Sequence, residues 1–160
     1  MSTIIQGNEL RAIALGRGPV SSPSGAFAAD TRTIFTVAGG EVLITALWGV
    51  VTTAISVANT VKLQANPTTG DSTDVSEATD IGTTDTAVGT VIGFTKSIDD
   101  PATSGALVEN SLLRGGHALR DLVVTTGDLE QVTTGTTPDG AITWYACWVP
   151  LTDGATLVAG

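Results

Sequence analysis

Apolar residues recur at every second position in several short runs of this chain, and Gly, Pro, Asp and Asn gather between the runs. The longest run begins after Glu41, and no charged residue occurs from Val42 to Val61. A membrane-spanning helix needs about 20 mostly apolar residues, so the run has the length to span. Its content argues otherwise. Thr45, Thr52, Thr53, Ser56, Asn59 and Thr60 are polar, and Val, Ile and Thr dominate the rest. β-branched side chains are stiff and suit a pleated strand better than a helix. The basic flank that orients a span is also missing, since Glu41 precedes the run and only Lys62 follows it. The pattern predicts a strand over residues 42–51, in which Val42, Ile44, Ala46, Trp48 and Val50 alternate with Leu43, Thr45, Leu47, Gly49 and Val51. Apolar residues on both faces predict burial on both sides.

Further strands follow from the same alternation. Residues 60–65 place Val61, Leu63 and Ala65 on one face and Thr60, Lys62 and Gln64 on a wet one, and residues 66–70 supply a Pro/Gly turn. Residues 31–37 predict a strand anchored by Ile34 and Phe35, joined to the long run through Ala38-Gly39-Gly40 as a hairpin. Residues 71–89 are polar and acidic, a solvated loop in which Val75, Ala78 and Ile81 offer one helical turn or an irregular strand. Residues 90–96 predict a strand with a bulge at Gly93. Residues 97–105 predict a loop, and residues 106–113 stay open between helix and strand. Residues 118–125 and 129–133 predict strands around a turn at Gly127-Asp128, with a second turn over 135–140. Residues 141–151 alternate Ile142, Trp144, Ala146 and Trp148 with Thr143, Tyr145, Cys147 and Val149, until Pro150 ends the pairing. A turn at 152–154 and a short edge over 155–159 close the chain. Many short strands with Gly, Pro and Asp turns predict an all-β sandwich or barrel.

The first 30 residues differ from the rest. Ile4, Ile5, Leu10, Ile13 and Leu15 are apolar points, and Gly16, Gly18, Pro19, Pro23 and Gly25 interrupt any regular element. Residues 1–30 are therefore expected to form an arm, either a disordered terminus or an extended segment that orders on a partner. Residues 31–160 are expected to form a single β-rich domain. No basic-then-apolar signal pattern opens the chain, so export by that route is not expected.

Composition sharpens this picture. A chain of 160 residues fits one domain with a sizeable core. Abundant Thr, Val, Ala and Gly favour strands and turns. The formal net charge of −9 is uneven. Residues 1–70 hold four basic against three acidic residues, whereas residues 71–160 hold three against thirteen. An acidic body argues against nucleic-acid binding, which needs clustered Lys and Arg. The near-neutral first part is free to meet an acidic partner through its arginines. Cys147 is the only cysteine, so no intrachain disulfide forms, and its apolar setting predicts a small buried hydrophobe.

Candidate chemistry is sparse. His117 is the only histidine, which leaves neither a multi-ligand metal site nor a nucleophile-base pair with a recognised signature. The acidic residues Asp71, Asp74, Glu77, Asp80 and Asp85 lack the spacing that converges calcium ligands. Asp99-Asp100 suits a solvent-facing turn better than a glycosidase pair. Trp48, Trp144 and Trp148 fit core or interface packing by default, with a sugar site on Trp144 or Trp148 as the alternative. No catalysis, cofactor or metal is expected.

Three segments together carry a resemblance: VLITALWGVVTTAISVANTVKLQANPTTG, TDVSEATDIGTTDTAVGTVIGFT and GAITWYACWVPLTDGATLVA. Over residues 35–159 the chain resembles small β-rich virion proteins of tailed bacteriophages, similar to capsid decoration (cement) proteins. The likeness is a whole-sequence pattern with no signature site to map. It implies a jelly-roll-like β-sandwich or barrel with an extended N-terminal arm. It implies a non-enzymatic protein on the outer capsid surface, commonly a homotrimer, that clamps neighbouring major capsid protein subunits. No nucleic acid or membrane partner is implied. On this expectation the contacts to capsid or to other subunits fall on Ile4, Ile5, Leu10, Arg11, Ile13, Leu15, Arg17 and Trp48. A tail or baseplate component and a carbohydrate-binding β-sandwich module are the alternatives.

Overall fold

The structure is a computed structural model that describes residues 7–94, 106–109 and 122–160. Alternating side chains build twelve strands and one helix among these residues. In chain order they are α1 (Gly7–Leu15), β1 (Arg17–Pro23), β2 (Thr31–Ala38), β3 (Val42–Thr53), β4 (Thr60–Pro67), β5 (Thr73–Asp74) and β6 (Thr79–Asp80). Then come β7 (Val91–Phe94), β8 (Leu107–Glu109), β9 (Leu122–Val124), β10 (Gly127–Thr134), β11 (Ala141–Pro150) and β12 (Thr156–Ala159).

The strands form two antiparallel sheets. The first runs β1-β11-β3-β7-β8, with β9 also on β3, and the second runs β12-β2-β10-β4-β5, with β6 also on β4. The all-β sandwich expected from the short alternating runs is the fold observed. Chain order gives it a specific form. β1, β2, β3 and β4 alternate between the sheets, and so do β9, β10 and β11. The inner rows β1-β11-β3-β9 and β2-β10-β4-β5 have the strand order of a jelly roll. Phe35, Leu63 and Leu129 from the second sheet meet Leu47, Ile142 and Trp144 from the first, all fully buried.

One polar contact crosses this core. The Trp144 indole Nε1 donates to Gln131 Oε1 at 2.7 Å, and Gln131 Nε2 donates to Thr133 Oγ1 at 2.9 Å. Trp144 lies on the first sheet and Gln131 on the second, so the bond ties the layers together. A buried indole N–H needs such a partner.

Several expectations are corrected here. The run from Val42 does not keep one phase. Ala46 lies opposite Cys147 and Ile44 opposite Trp148, so Thr45 is an extra residue on β3. This bulge shifts the inward set to Val42, Ile44, Leu47, Gly49 and Val51. Trp48 and Val50 therefore point outward, half-buried, instead of sharing a face with Val42 and Ile44. Nor is the link from β2 to β3 a hairpin, because the two strands lie in different sheets. Both need their apolar faces against the same core, and Gly39-Gly40 carries the chain across. A Cβ on Gly40 (φ +138) would come within 2.5 Å of the Thr152 side chain. Gly93 causes no bulge, since β7 and β8 pair in unbroken register through Gly93 and Val108. Gly127 and Asp128 form no turn but open β10, paired on both sides by β2 and β4.

The N-terminal expectation changes most. Residues 7–15 are helical rather than extended, and β1 forms the edge of the first sheet on β11. The Ser24 N–H bonds to the Ile142 carbonyl at 2.8 Å, and Phe27 enters the core. Residues 17–30 thus belong to the sandwich rather than to an arm. The acidic stretch 71–89 is also anchored. Leu63 O accepts the N–H groups of Val75 and Ser76, and the Ile81 N–H bonds to Asn59 O. Cys147 is buried as expected. The stretches predicted over 97–105, 110–113 and 118–121, with His117, lie outside the described residues.

Candidate functional site

The two outer faces of the sandwich differ in kind. On the second sheet the outward side chains of β2, β4 and β10 are mostly polar and bonded to one another, with Val158 of β12, 51% exposed, as the apolar exception at the edge. Thr36 Oγ1 donates to Asp128 at 2.7 Å, Lys62 Nζ holds Asp74 at 2.6 Å, and Thr60 bonds Thr134. Glu130 accepts from Gln64 Nε2 at 2.6 Å and from Asn66 Nδ2 at 3.1 Å. This is a face built for water.

The first sheet is built differently. Strands β1, β3, β7, β9 and β11 contain no Asp, Glu or Lys, and Arg17 is their only charged residue. Leu43, Trp48 and Val50 of β3 and Tyr145 and Val149 of β11 are half-buried and face outward. Trp48 and Tyr145 stack with ring centroids 5.5 Å apart and planes 11° from parallel. Their pairing is the cross-strand register that places Tyr145 opposite Trp48. On β9, Val123 is 54% exposed.

Helix α1 sits against the same face. Its run of Leu10, Arg11, Ala12 and Ala14 favours a helix. The Thr45 hydroxyl donates to the Leu15 carbonyl and fixes the end of the helix to β3. Gly16 then turns the chain into β1. Its φ is +86°, its N–H bonds to Ala12 O at 3.0 Å, and a Cβ there would lie 2.6 Å from the Trp148 carbonyl oxygen. The helix covers little of itself: Leu10, Ile13 and Leu15 are 53%, 74% and 56% exposed. Beneath it a groove of about 380 Å³ is lined by Arg11, Ala12, Leu15, Arg17, Pro19 and Cys147. Burial pushes the Cys147 thiol pKa up, which keeps it protonated and unreactive.

The structure thus gathers Leu10, Arg11, Ile13, Leu15 and Arg17 on one short helix and the strand that follows it. Trp48 lies on the same sheet face. Ile4 and Ile5 lie outside the described residues. Tyr145, Val123 and Cys147 also belong to this face and were not singled out as contacts from sequence. The outward phase of β11 was the signal for Tyr145 and Cys147. The sugar-site residues are placed elsewhere. Trp144 is fully buried and Trp148 is 6% exposed, with the Arg17 guanidinium 5.3 Å from the Trp148 ring centroid. Neither offers a flat ring to a ligand.

The anchored carboxylates serve loops. Asp139 accepts from the Ser56 hydroxyl and from the Ser56 and Val57 N–H groups, both at 2.9 Å, which holds its pKa below the usual value. Asp80 is held low in the same way by the Thr83 hydroxyl and the Gly82 N–H. Among the described residues no group of three His, Cys, Asp or Glu is placed to hold a metal ion, and no helix is long and apolar enough to cross a membrane. Comparison with protein families, curated proteins and solved structures found no match.

Proposed function

We propose that this protein is a non-enzymatic structural component of a bacteriophage virion. In this reading it binds the outer surface of the capsid, stabilises contacts between major capsid subunits, and acts as a homotrimer. The observation that carries the reading is the asymmetry of the two outer faces. The second sheet satisfies its outward polar groups internally, while the first presents the Trp48–Tyr145 stack, Val123 and the exposed apolar face of α1 with almost no charge. Contiguous apolar surface of this kind is matched to a macromolecular partner rather than to water. Arg11 and Arg17 beside it would set orientation. Repetition of one such contact over a shell multiplies modest affinity through effective concentration. The jelly-roll strand order is shared by proteins of many functions and carries no weight here.

Cryo-electron microscopy of purified virions of the encoding phage tests this. Symmetric density on the outer shell, with the α1 and Trp48 face turned toward capsid subunits or sister copies, is expected. Density confined to the tail would replace the capsid role with a tail or baseplate role. Absence from the particle would overturn both.

A further inference from the structure

The lateral edges of the sandwich carry opposite unpaired charges. One edge is β1 of the first sheet beside β12 of the second, and α1 leads directly into β1. Arg11 and Arg17 are exposed there. Among the described residues the ion pairs are Arg32–Asp30 and Lys62–Asp74, so neither of these arginines has a carboxylate partner. The other edge is the segment 71–89, whose β5 and β6 pair with β4. It is joined there by β8, where the Leu107 N–H bonds to Thr79 Oγ1 at 2.9 Å. Asp71, Glu77 and Asp85 are exposed on this edge and have no cationic partner among the described residues.

Apolar side chains accompany the charge at both places. Leu10 and Ile13 stand beside the arginines, and Val88, 63% exposed, stands beside Asp85. Five strands at about 4.8 Å spacing put the edges about 20 Å apart, so they cannot meet within one chain.

We propose that α1 and Arg17 of one copy dock onto the acidic edge 71–89 of a second copy, head to tail. Two complementary patches on opposite edges make a heterologous interface, which closes into a ring when the rotation per step allows it. The charges select the partner edge, and the apolar residues supply the area removed from water. This inference rests on the self-association within the proposed function and adds to it the two surfaces that meet.

Sedimentation velocity of the purified full chain, over a concentration series at low and high salt, provides the test. Concentration-dependent association that weakens with salt is expected. Arg11→Glu with Arg17→Glu should weaken it at least about tenfold, and Glu77→Lys with Asp85→Lys should do the same. In an equimolar mixture of the two reversed variants unlike chains should pair again, alternating into dimers or other even-numbered assemblies rather than a three-membered ring. Arg17 also caps Trp148, so Arg11→Glu with Ile13→Asp is the second variant should the first melt early. A parent chain that is monomeric throughout, or association indifferent to both reversals, would overturn the proposal. Self-association without capsid binding would refute the capsid role alone. Capsid binding by separate monomers would refute this contact alone.

Discussion

The hydrogen bond between Trp144 and Gln131 can be isolated by a double-mutant cycle. Gln131→Leu keeps the side chain's approximate shape but removes the acceptor at 2.7 Å and leaves the Trp144 N–H buried without a partner. An unsatisfied buried donor costs about 1–3 kcal/mol. Trp144→Phe leaves Gln131 Oε1 equally stranded and adds a cavity where the second ring was, for about 2–4 kcal/mol in all. In the double variant no polar group of the pair is stranded, so its loss should fall short of the sum of the single losses by about 1–3 kcal/mol. Urea unfolding by fluorescence and by circular dichroism measures each value, with coincident transitions as the check on two-state behaviour. Gln131→Leu alone should lower Tm by roughly 2–12 °C, at about 2–4 °C per kcal/mol for a chain of this size. Losses additive to within about 0.5 kcal/mol would refute the reasoning and leave apolar packing to hold the layers together around Trp144.

Three further outcomes are expected. Gly49→Val should destabilise by at least about 1–3 kcal/mol, because even a Cβ there meets Ile142 Cγ2 at 2.7 Å and the Trp144 ring at 3.1 Å; a variant as stable as the parent in urea would show that the core yields. Asp139→Asn should lower Tm at neutral pH. A depressed folded pKa gives stability that is present above the unfolded value of about 3.9 and lost as pH falls through the folded one. The gap between variant and parent should therefore narrow below about pH 4, and a pH-independent gap would assign the effect to shape instead. Trp48→Ala should cost about 1–2 kcal/mol of stability through loss of the stack on Tyr145, yet reduce capsid binding well beyond that; unchanged binding to shells lacking the protein would remove Trp48 from the interface.

How much of this was legible in the sequence depends on whether neighbouring residues decide the outcome. Strands 31–38, 60–67 and 141–150 were legible because alternation is local and their turns carry Gly, Pro or Asp. The phase of β3 was not. The bulge at Thr45 is a property of its pairing with β11, and a one-residue shift moves every later side chain to the other face. β1 was hidden for a different reason. Its sequence, RGPVSSP, has low strand propensity, and it is held by pairing with β11 and by Val20 packed against the core. The hairpin expected at Gly39-Gly40 failed because turn chemistry is the same whether a chain returns within its sheet or crosses to the other. Of the candidate site, the apolar points and arginines of residues 10–17 and Trp48 were visible as residue types. Their gathering on one side of the molecule depends on α1 docking to Thr45.

The edges of the sandwich decide how a partner can engage the first sheet. A sheet with open edges recruits partners by strand addition, through backbone N–H and C=O groups. Here β1 contains Pro19 and Pro23, which donate no hydrogen bond, and its pairing with β11 slips between Arg17 and Val20. At the same side of the second sheet, β12 is only four residues long. Backbone-mediated addition is therefore weak on this side, and recognition is left to side chains. The side chains available are those of α1, the Trp48–Tyr145 stack and the arginines. A partner would then be selected by shape and charge rather than by its capacity to form a strand. Substitutions of these side chains should accordingly change its affinity more than changes to the exposed backbone of β1 or β12.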